Sequence, residues 1–215
     1  MLDSIKEYVD AIHFADGAYK EYLEVYRNFQ ADVRPRSTDG TLEILKSIPG
    51  LPDHDIIYCP EDTPWFNQNE KRSALLDAVP VGDWFIIIDA DEMLSGDVAE
   101  GLETIFDSGC IQGSVPLYNA GLDIDRMHHF WHPRVFEKLE GMHYYKTHWQ
   151  LRDGYDRIIE GKYPIKWTSQ FVFVHFKALK PPERTLPHAE YMNKIGMRGW
   201  IEKLERADVD LRTRF

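Results

Sequence analysis

Hydrophobic and polar positions divide the chain into two kinds of segment. Short apolar runs are typical of buried strands, and they cover residues 11–15, 55–59, 84–88, 111–117, 134–136 and 171–176. Apolar residues at helical spacing predict helices over residues 3–9, 42–48, 69–79, 97–107 and 187–206. This alternation of strands and helices is typical of an α/β sandwich with a mostly parallel sheet.

The most hydrophobic strand candidate is residues 84–88, where five apolar side chains follow one another without alternation. Such a run predicts a strand that is covered on both faces. Three carboxylates follow it at once: Asp89, Asp91 and Glu92. Ligands of open α/β sheets bind at this edge, and clustered carboxylates require a positive charge among them, for which a divalent metal is the simplest source. The alternative is a solvated acidic turn after a core strand.

Charge is distributed unevenly along the 215 residues. The whole chain has a net charge of −11, which argues against nucleic-acid binding through global charge. Residues 1–125 carry −17 and residues 126–215 carry +6. The acidic part could hold a divalent cation, and the basic, aromatic part could meet an anionic or sugar-like partner. The alternative is that solvated faces differ in sign by chance.

Composition narrows the class of protein further. The length of 215 residues suits a single domain. No apolar run is long enough for a membrane span, and Cys59 and Cys110 are too few for a disulfide framework. The expectation is a reduced, cytoplasmic protein.

Several segments together resemble one known family. Residues 83–92 resemble the D-x-D segment of GT-A-fold glycosyltransferases, especially the family-2-like ones. Residues 9–17 look like their second strand with its terminal Asp, residues 37–41 like an S-x-D-G-T turn, and residues 69–75 like a K-R-x-x-A-L helix. Later parts of the same pattern resemble residues 134–136, 147–148 and 172–175.

The resemblance implies a fold and an activity. The fold would be a GT-A-like (Rossmann-like) α/β/α sandwich that lacks the family's usual first strand, which would precede Met1. Residues 1–125 would bind the nucleotide sugar, and residues 126–215 would form the acceptor side and a C-terminal helix of the same domain. Such enzymes move a sugar from a nucleotide diphosphate, often UDP, to an acceptor. They use Mn²⁺ or Mg²⁺ held by the D-x-D carboxylates.

The resemblance also implies roles for individual residues. The metal ligands would be Asp89, Asp91 and His175, although His175 could equally be a hydrogen-bonded core histidine. Asp91 would be central to catalysis as the direct metal ligand. The donor nucleotide and phosphates would contact Asp16, Asp39, Lys71, Arg72, Asp89 and Ala90. Alternatively, Lys71 or Arg72 could pair with the acidic cluster.

The catalytic base and the acceptor stay open. In many relatives the middle histidine is followed by Glu, whereas Trp149 follows His148 here. An inverting transfer needs a base for the acceptor hydroxyl, and the candidates are His148, Asp153, Asp156 and Glu160, with His148 and Asp153 placed first. A retaining transfer would not need that base. The acceptor could be a glycan, a lipid-linked molecule or another hydroxyl compound, and a nucleic-acid acceptor is possible but not indicated.

Two further features carry alternatives. Residues 18–36 lie between the segments that match the family, and they predict either a lid or an extra amphipathic helix packed on the sheet. A non-catalytic sugar- or nucleotide-binding relative is a second functional class. A haloacid-dehalogenase-like phosphatase is a third, although its motif normally has Thr or Val where this chain has Met93.

Overall fold

The computed structural model describes residues 2–27, 34–38, 40–47, 53–59, 63–119, 130–145 and 147–176. The elements in chain order are β1 Ala11–Asp16, α1 Lys20–Tyr26, α2 Thr41–Ser47, β2 Asp53–Tyr58, α3 Gln68–Asp77, β3 Trp84–Ile86, β4 Glu92–Gly96, α4 Val98–Phe106, β5 Gln112–Asn119, β6 Phe130–Glu137, β7 His143–Tyr145, β8 Thr147–Arg152, α5 Ile159–Lys162, β9 Lys166–Trp167 and β10 Phe171–His175. The predicted α/β class is confirmed.

A small parallel sheet is formed by β1 and β2. Ala11 lies opposite Asp53 and Asp16 lies opposite Tyr58. Because the two strands run in the same direction, Asp16 and Cys59 meet at the same edge. This edge carries the first group of candidate site residues.

A larger sheet has the strand order β3-β6-β5-β10-β4, with β9 beside β5. β5 is parallel to β10 and β9, whereas the β3–β6, β5–β6 and β4–β10 pairs are antiparallel. The described sheet is therefore mixed, and the expectation of a mostly parallel sheet is not confirmed. Apolar runs reveal buried strands but not their directions, and β4 has no apolar run because Glu92, Ser95 and Gly96 interrupt it.

Side chains cover both faces of the larger sheet. On one face, Leu102 and Ile105 of α4 pack with Val115, Phe171 and neighbouring apolar residues. A second cluster contains Leu76 of α3, Phe136, Met142, Leu151 and Ile159. The sheet thus lies between helices, as the sandwich prediction requires.

Three helix predictions have different outcomes. The helix predicted over residues 3–9 is only a short 3-10 helix, Leu2–Ser4, although Ile5 and Val9 both pack in or against the core. Within residues 18–36, the structure shows a helix over Lys20–Tyr26, α1, whose Leu23 and Val25 are buried. The helix predicted over residues 187–206 lies outside the described residues.

Within the described ranges, no helix has both the length and the apolar character that crossing a bilayer requires.

Candidate functional site

Residues 89–92, here named the acidic turn, connect β3 to β4. The Glu92 N–H donates to the Asp89 carbonyl at 2.9 Å, which closes the turn. The Glu92 side chain accepts the Asp89 N–H through Oε2, also at 2.9 Å. Just before the turn, the Ile87 N–H donates to the Arg134 carbonyl at 2.9 Å, so the chain enters the turn still bonded to β6.

Two carboxylates of the acidic turn form ion pairs with arginines. Asp89 Oδ1 accepts Arg72 Nη2 at 2.6 Å, and Glu92 Oε1 accepts Arg134 Nη2 at 2.7 Å. Burial alone would raise the pKa of Asp89, but the Arg72 guanidinium outweighs it and holds that pKa below its usual value. Burial raises the pKa of Glu92 against the opposing effect of Arg134. Much of the positive charge that the cluster requires is therefore supplied by the protein itself.

The third carboxylate, Asp91, lies against His175. The His175 Nε2 is 3.1 Å from Asp91 Oδ2, and the Phe176 N–H donates to the Asp91 carbonyl at 2.8 Å. The Asp91 side chain is 24% exposed, whereas that of Glu92 is 1% exposed. Asp91 is thus the more accessible of the two. The structure brings His175 and Asp91 together, an arrangement that fits both roles considered for His175, the metal ligand and the hydrogen-bonded histidine.

The site residues at the edge of the small sheet surround Asp16, at the end of β1. Ser37 Oγ donates to Asp16 Oδ1 at 2.5 Å, and the Ser37 N–H lies 3.3 Å from Oδ2. The Trp65 indole N–H donates to the Asp16 carbonyl at 2.9 Å. These contacts fix both the side chain and the backbone of Asp16 at the edge of the small sheet.

Helix α3 connects the two groups through consecutive residues. Lys71 Nζ donates to the Gly17 carbonyl at 2.6 Å, next to Asp16, while Arg72 forms the ion pair with Asp89. Burial lowers the pKa of Lys71, and the nearby Asp16 carboxylate opposes that effect. Two adjacent cations on one helix therefore place Asp16 and the acidic turn at one common edge.

Gly17 allows the backbone to approach closely at this edge. Its φ of 109° lies in the left-handed region that favours glycine. A Cβ at this position would overlap the Cys59 sulfur. The Arg36 Nε donates to the Cys59 carbonyl at 2.8 Å, so this part of the edge also carries a cation.

The remaining predicted site residues are placed differently. Asp153 is 2% exposed and lies in the segment after β8, where Arg157 and Tyr163 donate to its carboxylate. These bonds show that the Asp153 carboxylate holds together the loop that follows β8. Ala90 is exposed within the acidic turn. His148 lies on β8, but the structure describes only its backbone, and Asp39 lies outside the described residues.

Among the described residues, no group of three or more His, Cys, Asp or Glu side chains is arranged to hold a metal ion. The reason is visible in the contacts, because Asp89 and Glu92 are already engaged by arginines. Asp91 and His175 are the pair of predicted ligands that contact each other.

Two contacts of the acidic turn were not predicted from the sequence. Arg134 was noted only as part of a family-like segment, yet it is the partner of Glu92 across 42 positions of sequence. Tyr144 lies beside Arg72, and burial raises the pKa of that tyrosine against the opposing effect of the guanidinium. A single arginine in a largely apolar strand such as β6 usually has a buried partner. This is the sequence signal that could have indicated the contact of Arg134 with Glu92.

The structure defines an α/β protein in which an acidic turn joins β3 to β4, the two end strands of the β3-β6-β5-β10-β4 order. The glycosyl transferase family 2 model matches residues 36–173, and the chain belongs to that family. No curated protein gives a match to the chain. The protein therefore carries a glycosyltransferase domain of GT-A type, for which a nucleotide-sugar donor and an acceptor are implied. The match gives no support to the phosphatase alternative.

Proposed function

We propose that the protein transfers a sugar from a nucleotide diphosphate sugar, with UDP as the nucleotide, to a hydroxyl acceptor. The observation that supports this most is the pair of adjacent cations on α3. Lys71 reaches the backbone beside Asp16, and Arg72 reaches Asp89. A donor that spans from a base at Asp16 to a diphosphate at the acidic turn would pass along both cations.

The nucleotide half of the site follows from this placement. Asp16, together with Asp39, would hydrogen-bond the base, since a carboxylate accepts from ring and exocyclic N–H groups. Lys71 and Arg72 would face the phosphates. Asp89 is held by Arg72 and would reach the ribose, with Ala90 lining the turn beside it. In this proposal Arg72 shields the negative Asp89 from the negative diphosphate.

Asp91 and His175 are the residues that would hold a divalent cation. One carboxylate oxygen and one imidazole nitrogen, 3.1 Å apart, fit Mn²⁺ better than Mg²⁺, because imidazole favours transition metals. Asp89 would contribute through the hydration shell of the ion. When bound, the ion would supply electrostatic stabilisation of the departing diphosphate.

His148 is our proposal for the base in an inverting transfer. The carboxylate of Asp153 is strongly stabilised as an anion by Arg157 and Tyr163, and its pKa lies well below the usual range. Such a carboxylate is a weak base. His148 lies on β8, directly after β7, whose Tyr144 contacts Arg72.

Asp91→Asn tests the proposal by titration of UDP in the presence of Mn²⁺ and by release of UDP from UDP-sugars. The wild type should bind UDP more tightly with Mn²⁺ than with EDTA. The variant should lose about tenfold or more of that gain, a typical cost of disturbing a metal site. Asp107→Asn, an exposed carboxylate after α4, is the matched control and should behave as the wild type.

The results separate the competing functions. Equal Mn²⁺-dependent binding in Asp91→Asn and the wild type would overturn the site assignment. Tight UDP binding without turnover of any UDP-sugar would instead favour the non-catalytic relative. Loss of the Mn²⁺-dependent gain in the Asp107→Asn control as well would show that general negative charge, and not the acidic turn, attracts the cation.

A further inference from the structure

Glu92 uses both oxygens of one buried carboxylate. Oε1 accepts Arg134 Nη2 at 2.7 Å, and Oε2 accepts the Asp89 N–H at 2.9 Å. The side chain is 1% exposed, so water does not compete for either bond. Glu92 therefore connects the backbone of the acidic turn to β6.

The position of Glu92 determines where Asp91 and His175 lie. Glu92 is the first residue of β4, and its register partner on β10 is His175. Asp91 is the preceding residue, and its carbonyl accepts the Phe176 N–H at 2.8 Å. Any change in how Glu92 is held would thus move Asp91 relative to His175.

Arg134 is itself held in place around this contact. Its carbonyl accepts the Ile87 N–H at 2.9 Å, and its guanidinium lies over the Phe173 ring, 5.5 Å from the centroid. The Arg134 side chain is 13% exposed. Because the guanidinium is fixed, it also fixes the orientation of the Glu92 carboxylate.

We propose that Glu92 is a positioning residue, which sets the geometry of the acidic turn through the Asp89 N–H and Arg134 and thereby sets the affinity for UDP with Mn²⁺. This inference rests on the proposed function for its effect on binding. The claim that Glu92 holds the turn stands on the geometry alone.

A glutamine at this position distinguishes positioning from simple packing. In Glu92→Gln the amide oxygen would face the charged Arg134, since charge-assisted bonds are the stronger ones. The amide NH₂ would then face the Asp89 N–H, donor against donor. In the double variant Glu92→Gln with Arg134→Met, the amide oxygen is free to turn and accept the Asp89 N–H again.

Two readouts test the proposal. Amide hydrogen exchange over residues 87–92 should be faster in Glu92→Gln than in the wild type and should return towards the wild-type rate in the double variant. Affinity for UDP with Mn²⁺ should fall about tenfold or more in the single variant and recover in the double variant. Leu102→Ala, a core truncation in α4, lowers stability away from the turn and should change neither readout.

Each outcome decides the proposal. Wild-type exchange in Glu92→Gln would overturn it, and so would a double variant that is no better than the single one. A changed exchange rate with wild-type UDP affinity would overturn the effect on binding. Absence of UDP binding in the wild type would count against the proposed function, while the exchange rates would still decide whether Glu92 holds the turn.

Discussion

Asp153 shows how a single buried carboxylate can organise a loop. Oδ1 accepts the N–H groups of Tyr155 and Arg157, each at 2.9 Å. Oδ2 accepts the Arg157 Nε and the Tyr163 hydroxyl, each at 2.7 Å. Burial alone would raise the pKa of Asp153, but the hydrogen bonds from Arg157, Tyr163 and Tyr155 together lower it well below the usual value.

The lowered pKa gives a pH-dependent prediction for Asp153→Asn. The ionised carboxylate stabilises the folded state at pH values above the unfolded pKa of about 3.9, and this contribution is lost as the pH falls towards the folded pKa. Asp153→Asn should therefore be less stable than the wild type at neutral pH. The difference should narrow as the pH falls below about 5.

Urea unfolding of both proteins across this pH range measures the difference. Asp156→Asn is the matched control: Asp156 is 63% exposed and pairs with Arg152, and exposed pairs contribute only about 0–1 kcal/mol. A gap between Asp153→Asn and the wild type that stays constant with pH would mean that the carboxylate charge does not hold the loop.

The chemistry of the acidic turn was only partly predictable at this scale. Three carboxylates in four residues correctly indicated that positive charge must lie nearby. The resemblance offered Lys71 or Arg72 as a partner of the cluster, and the ion pair of Arg72 with Asp89 confirms this for Arg72. Arg134 was not predicted as a partner, because it lies 42 positions from Glu92. Contacts between residues so far apart in sequence depend on how α3 packs on the sheet and on which strands β6 pairs with.

At the scale of elements, α4 lies unusually close to β10. Gly101 is buried in the middle of α4, and a Cβ at this position would overlap the ring of Phe171. The absence of a side chain thus allows the helix to pack directly on the strand. Phe171 is itself fully buried, so its ring has little room to move.

Gly101→Ala should therefore destabilise the protein, although alanine is the better helix former. Overpacking of this kind costs about 1–3 kcal/mol. Gly161→Ala in α5 is the matched control, because a Cβ at Gly161 meets nothing within 4 Å. That variant should be stabilised by up to about 1 kcal/mol. Guanidinium unfolding measures both, and a Gly101→Ala protein as stable as the wild type would contradict the close packing.

The elements themselves were largely predictable where their pattern is strong. The apolar spacing placed α3, α4 and β1 to within two residues. It missed the hairpin of β7 and β8, because polar residues interrupt the apolar pattern of β8 itself, at Thr147, His148 and Gln150. The direction of each strand could not be predicted from the sequence either, because the pattern of burial is the same for parallel and antiparallel neighbours.

At the scale of the whole molecule, α3 joins the β1–β2 sheet to the larger sheet. Within the described residues no strand pairing connects the β1–β2 sheet to the larger sheet. Lys71 bonds to Gly17 beyond β1, and Lys138, beyond β6, donates to the Leu76 carbonyl at 2.9 Å. Ile12 of β1 packs against the core cluster of the larger sheet. The two sheets are therefore connected by side-chain contacts and not by a shared strand.

This arrangement predicts that the two sheets unfold together. Leu76 is 3% exposed and packs in the second core cluster, so Leu76→Ala should cost about 2–5 kcal/mol. Hydrogen exchange measured by mass spectrometry at increasing urea should show β1 and β5 losing protection in one transition, shifted equally by the variant. Ile44→Ala, at a side chain that is 61% exposed in α2, should shift neither. Earlier loss of protection in β1 than in β5 would show that α3 does not couple the sheets, and the proposed donor site would then lie between two independently unfolding units.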